Sequence, residues 1–137
     1  MDNDLILNKL VFTNKYMPNQ KRELEEGNRE YKIALNYSEY NKTILTNIIN
    51  KKATQLLYRL NEGAGKALYI IGLKDDGEAI GILLNELKIS CLFLDKLCKI
   101  NNASFNTIRI YRGSYGFIAT IRIYKTDIKF HLLLDNN

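Results

Sequence analysis

The chain has 137 residues, 46% hydrophobic and 26% charged, a balance that suits one globular domain and speaks against sustained disorder outside the termini. Its apolar runs are broken by charge well before the ~18 residues of a membrane span, and the acidic start Met1-Asp2-Asn3-Asp4 is unlike a secretory leader. The net charge is +5, and residues 88–137 supply it with eight basic and three acidic groups; residues 1–24 sum to +1 and residues 25–87 to −1.

A one-sided excess of this kind points to a polyanionic partner, or else to a solvated face that serves solubility alone. Sixteen Asn, seventeen Ile and fourteen Lys reflect a compositional bias, so an isolated exposed Asn carries no functional weight.

In chain order, Leu5 to Phe12 is one apolar patch, followed by a stretch around Pro18 without a clean period. Residues 1–24 therefore read as an extended, flexible N-terminal arm that orders on a partner, carrying a small basic cluster of Lys15, Lys21 and Arg22. Residues 25–137 read as a single α+β domain. Tyr31, Ile33 and Leu35 alternate with Lys32 and Ala34, as in a half-buried strand. A helix is expected from about Lys42 to Asn61, where Leu45, Ile48, Ile49, Leu56, Leu57 and Leu60 recur along one stripe before Gly63 and Gly65.

Two apolar runs, Ala67–Leu73 and Glu78–Leu84, flank Lys74-Asp75-Asp76-Gly77, which reads as a hairpin because Asp-Gly suits a tight turn. Leu87, Cys91, Leu94 and Cys98 mark a second helix, roughly Asn85 to Lys99. Three strand-like runs close the chain: Thr107–Arg112, Gly116–Tyr124 and Ile128–Leu134. The order β-α-β-β-α-β plus C-terminal strands predicts an antiparallel sheet with two helices packed on one face.

Chemistry is sparsely represented. Seven residues separate Cys91 from Cys98, about 10 Å along a helix, too far for a disulfide. Buried free thiols of a cytosolic protein are the better reading. His131 is the one histidine, so no Cys/His zinc cluster and no Ser-His-Asp arrangement is favoured. Asn61-Glu62-Gly63-Ala64-Gly65-Lys66 evokes a phosphate loop, but Leu60 and Ala67 stand where a glycine and a Ser or Thr are needed. The pairs Glu25-Glu26 and Asp75-Asp76 are adjacent and diverge instead of converging on a cleft. No cofactor, metal, nucleotide or membrane is expected, and no catalysis.

The final hairpin is more informative. Ile108 and Ile110 share one strand face, and Arg109 and Tyr111 the other; Ile121 and Ile123 then oppose Arg122 and Tyr124. Alternation thus collects Arg109, Tyr111, Arg122 and Tyr124 on a solvent face, with Arg112, Tyr115 and Lys125 nearby. Guanidinium groups fit phosphates bidentately and tyrosines stack on bases, which suits RNA. Inert sheets carry such pairs too.

Glu25-Glu26-Gly27-Asn28 followed by Glu30-Tyr31-Lys32 resembles a segment in the N-terminal domain of the GTP-binding protein one and two family of translational GTPases. The likeness continues through Thr54-Gln55-Leu56, Arg59-Leu60-Asn61-Glu62-Gly63, Gly65, Ala67, Tyr69, Ile71-Gly72, Asp75-Asp76-Gly77, Glu86 and Ser90, over roughly residues 25–97. Family members continue into a G domain with a phosphate loop. These 137 residues hold no such phosphate loop, so GTPase activity is not expected to carry over with the resemblance.

A free-standing domain of this kind resembles dormancy factors of microsporidia, proteins bound to inactive ribosomes. The resemblance implies docking on the small subunit near the tRNA exit site, where it excludes tRNA. It also implies that Asn28, Arg29, Tyr31, Lys32, Arg59 and Glu62 face the ribosome. The alternative is a protein-interaction adaptor for a translation factor or GTPase, without RNA contact. Independently of either function, a purely structural reading of these residues has Gly27, Gly63 and Gly77 only making turns, and Tyr31 and Tyr69 in the core.

Overall fold

A computed structural model of the chain describes residues 2–35 and 42–126. It is an α+β fold, as expected. The elements in order are α1 (Asp2–Lys9), β1 (Leu10–Tyr16), β2 (Arg29–Lys32), α2 (Lys42–Glu62), β3 (Lys66–Ile71), α3 (Leu84–Ile100), β4 (Ala103–Ser104), β5 (Ile108–Arg112) and β6 (Phe117–Lys125). The five longer strands lie in the order β1-β5-β6-β3-β2, with β4 pairing the end of β6. The expected run Ile128–Leu134 and His131 lie outside the described residues.

The helix periods translate directly into burial. Leu87, Cys91, Leu94 and Cys98 of α3 are buried, together with Phe93 and Leu97. Only the second half of the α2 stripe is fully buried, at Ala53, Leu56 and Leu60. Both helices cover one sheet face, where Tyr69, Ile71, Ile108, Ile110, Ile121 and Ile123 complete the core. Ile6 of α1 joins the same core. The helices are tied by Asn101, whose Nδ2 donates to Ala53 O at 2.9 Å. Gly65 ends α2 at φ +94, and its N–H closes on Leu60 O at 2.7 Å.

Three expectations need correction. The sheet is mixed, because β1 runs parallel to β5 and β2 parallel to β3. Both pairings join distant segments, which local periodicity does not report. Next, the expected hairpin after β3 keeps its turn, where Lys74 N–H donates to Glu78 O at 3.1 Å, but loses its second strand. Residues 78–83 make only isolated bridges, Leu73 with Ala79 and Ile82 with Phe117, because their backbone is engaged by the Gly113–Phe117 turn.

Lastly, the N-terminal stretch expected as a free arm is integrated into the sheet. β1 pairs Leu10 with Ile108 and Phe12 with Ile110, and residues 17–24 run as a strap from the end of β5 past the Lys74–Gly77 turn to Tyr31 of β2. Met17 N–H donates to Arg112 O, Gln20 N–H to Gly77 O and Glu23 N–H to Asp75 O, at 2.9, 2.7 and 2.8 Å. A Cβ on Gly77 (φ +95) would stand 1.9 Å from Gln20 O, so glycine is what lets strap and turn touch.

Candidate nucleic-acid interface

The sheet face away from α2 and α3 is open over one half. Register fixes its contents, since residues opposite each other share a face. Arg29 of β2 stands opposite Leu68 of β3, and Leu68 opposite Arg122 of β6. In the next row, Tyr31, Ile70, Thr120, Arg109 and Val11 succeed one another across the five strands. Lys66 faces Tyr124 one row toward the other end.

The strap closes the opposite half. Beneath it Tyr31, Ile70, Leu73, Ala79 and Ile118 form a second apolar cluster, joined by the partly buried Met17, Leu68 and Tyr111. Tyr31, 5% exposed, donates its hydroxyl to Lys21 O at 3.0 Å. Its N–H reaches the Glu23 carboxylate. Partial burial pushes the Glu23 carboxyl above its ordinary value, against the lowering effect of that hydrogen bond.

What remains open holds two recesses separated by Leu68. One, of about 230 Å3, is lined by Asn106, Thr107, Arg109, Thr120, Arg122 and Tyr124. Arg109 and Arg122 are exposed diagonal neighbours across β5 and β6. Tyr124 is half-buried and donates its hydroxyl to Asn106 Oδ1 at 3.1 Å, so its ring is held as a wall. The other recess, of about 350 Å3, lies between strap and β2, and brings Lys21, Arg22 and Arg29 together beside Glu26 and Asn28. Among the described residues no carboxylate makes an ion pair with Arg29, Arg109 or Arg122.

Several expected interface residues are placed elsewhere. Arg59, 4% exposed, points inward, where its Nε pairs with Glu30 Oε1 at 2.8 Å. Its Nη1 donates to the carbonyls of Glu25, Glu26 and Gly27, and its Nη2 to that of Leu24. Glu62 Oε1 accepts from Gly27 N–H at 3.1 Å, and Asn28 Nδ2 donates to Lys66 O at 3.2 Å. Lys32 balances the other oxygen of Glu30 at 3.2 Å, on the helical side.

These groups build and hold the loop that presents Arg29. That internal use is why the Glu-Glu-Gly-Asn segment and the end of α2 belong together. Tyr31 is likewise withdrawn from solvent, and Tyr111 turns partly into the apolar cluster.

Arg112 falls on the helical side, opposite Phe117, because it shares parity with Ile108 and Ile110. Tyr115, 73% exposed, sits in the far turn. Lys125 is exposed at the end of β6, with the parity of Ile123, and Lys15 lies on the bulged edge of β1 outside both recesses. Leu68, Thr107, Thr120 and Lys66 belong to the open face although alternation within the last hairpin did not single them out; the β3–β6 register reveals them.

The helical side has its own recess of about 870 Å3, lined by Lys32, Lys51, Lys52 and Tyr58 among others. Burial and the nearby Lys32 charge push Lys52 below its ordinary pKa. Among the described residues no group of three or more His, Cys, Asp or Glu is placed to hold a metal ion. None of their helices is long and apolar enough to cross a membrane.

No protein-family model and no solved structure matches the chain. It is similar to GTP-binding protein 2 of Mus musculus and of Homo sapiens, 35% identical over 88 residues in each case. The match takes in 64% of this chain, which spans about 14% of the length of those relatives.

Proposed function

We propose that this chain is a non-catalytic ribosome-binding factor that keeps ribosomes dormant by occupying the small subunit near the tRNA exit site and excluding tRNA. The observation that carries the reading is the open sheet face, where Arg29, Arg109 and Arg122 stand without acidic partners among the described residues, beside Tyr124 and the strap cations Lys21 and Arg22. Exposed guanidinium groups without acidic partners suit rRNA phosphates, and sterics alone accounts for tRNA exclusion. The likeness to part of GTP-binding protein 2 supports a domain related to translational GTPases, and the sequence resemblance to dormancy factors is the reason for choosing the ribosome as the target. Action in the cytoplasm, without cofactor or nucleotide, belongs to the same proposal.

The experiment is co-sedimentation with purified ribosomes across a salt series. Binding should weaken steeply with salt, because each neutralised phosphate releases counterions. Binding indifferent to salt, or none, overturns the proposal.

One observation favours an adaptor instead. Val11, Phe12 and Tyr16 are exposed along the edge strand β1, an apolar edge on which a partner protein could add a strand. Changing Arg29, Arg109 and Arg122 together to Gln separates the readings: RNA-driven binding collapses, and adaptor binding survives.

A further inference from the structure

Resting on the RNA-binding reading above, we infer that the open face takes RNA as a single strand of about three nucleotides lying across the sheet from β2 to β5. The geometry points to this through spacing. Neighbouring strands stand about 4.8 Å apart, so Arg29 and Arg122 are rooted roughly 10 Å apart, and Arg29 and the β5 strand of Arg109 roughly 14 Å. One recess takes a phosphate at Lys21, Arg22 and Arg29; the other takes a phosphate at Arg109 and Arg122. Glu26 lines the first recess, and the cations there outnumber it.

Between the two anion positions the surface is not charged. Leu68 stands directly between Arg29 and Arg122 and is half-buried, at the margin of the apolar cluster beneath the strap. Tyr124 walls the second recess, its ring fixed by the hydroxyl bond to Asn106. Leu68 between two cations of one row, with the Tyr124 ring one row along β6 from Arg122, sets apolar and aromatic surface beside both anion positions, which matches a strand whose bases are unstacked and turned onto the protein. A duplex hides its base faces and would leave Leu68 and Tyr124 without a counterpart. Thr107, Thr120 and Asn106 place short polar groups between the arginines, within reach of sugar hydroxyls and base edges.

Fluorescence anisotropy with a labelled six-nucleotide single-stranded RNA, and with a hairpin duplex of the same composition, tests this on the full chain. The single strand should bind at least tenfold more tightly than the hairpin. Arg29→Gln and Arg122→Gln should each weaken it and lower the slope of log affinity against log salt by about one. Tyr124→Ala should cost about 5- to 100-fold at all salt concentrations, the scale of one stacked base, and Tyr124→Phe should lose less. Arg112→Gln, on the other side of the sheet, should behave as the parent, and melting curves establish that each variant is folded.

Equal affinity for the hairpin, or a Tyr124→Ala variant that is folded and binds normally, overturns the inference. If ribosomes are bound but the single strand is not, this inference alone fails. If the single strand is bound but ribosomes are not, the ribosome proposal fails and the inference stands.

Discussion

Replacing Arg59 with Leu tests how the loop at residues 24–27 is held. In the folded protein Arg59 is 4% exposed and Glu30 1% exposed, and their contact is 2.8 Å. Removing the guanidinium leaves the Glu30 carboxylate buried, with only Lys32 at 3.2 Å to balance it. Breaking a buried pair from one side costs about 3–5 kcal/mol, mostly the desolvation of the charge left behind. The four carbonyls that Arg59 collects sit on an exposed loop and can be rehydrated, so each adds less than the ~1.5–3 kcal/mol of a buried charged bond.

The expected loss is therefore about 3–5 kcal/mol, against a total stability of about 5–15 kcal/mol for a domain of this kind. Urea unfolding followed by circular dichroism measures it. The double variant Arg59→Leu with Glu30→Leu should cost less than Arg59→Leu alone, since no charge is then stranded. A single-variant loss below about 1 kcal/mol, or a double variant costing the full sum of the two singles, would refute the clamp.

Burial pushes both thiols up to about 12 from an ordinary value of 9.0. Their protonated form is favoured by the fold, so stability is intact below about pH 9 and falls as pH rises through about 12, by up to ~1.4 kcal/mol per pH unit for each thiol. Urea midpoints at pH 8, 9 and 10 should decline in that order, and a Cys91→Ala, Cys98→Ala variant should decline less. The buried Tyr69 hydroxyl has no hydrogen-bond partner among the described residues, and burial pushes its pKa up as well. Tyr69→Phe should therefore be neutral or stabilising by up to about 1 kcal/mol in the same assay. Gly77→Ala should destabilise by roughly 1–3 kcal/mol and raise amide exchange at Gln20, whose N–H bonds to Gly77 O.

The last hairpin was readable because period-two alternation is local: Ile108, Ile110, Ile121 and Ile123 are all buried. Which outward residues meet depends on register. Arg109 stands opposite Thr120, so Arg122 is its diagonal neighbour, and Tyr111 falls under the strap. The strap carries no period of its own; its order comes from contacts with Gly77, Asp75 and Ala79, more than fifty residues away. For the same reason the Arg59–Glu30 pair, 29 residues apart, was invisible as a pair, although both residues lay in the familiar segments. A resemblance marks residues as important without saying whether they face a partner or hold the fold. In this chain Arg59, Glu62 and Tyr31 hold the fold, and Arg29 is free to face outward.

An electron cryomicroscopy map of the purified protein bound to ribosomes tests the central claim most directly. The account predicts density on the small subunit near the tRNA exit site, with Arg29, Arg109, Arg122 and Tyr124 buried against rRNA. A map in which that face looks into solvent while α2, α3 or the β1 edge makes the contact would contradict it.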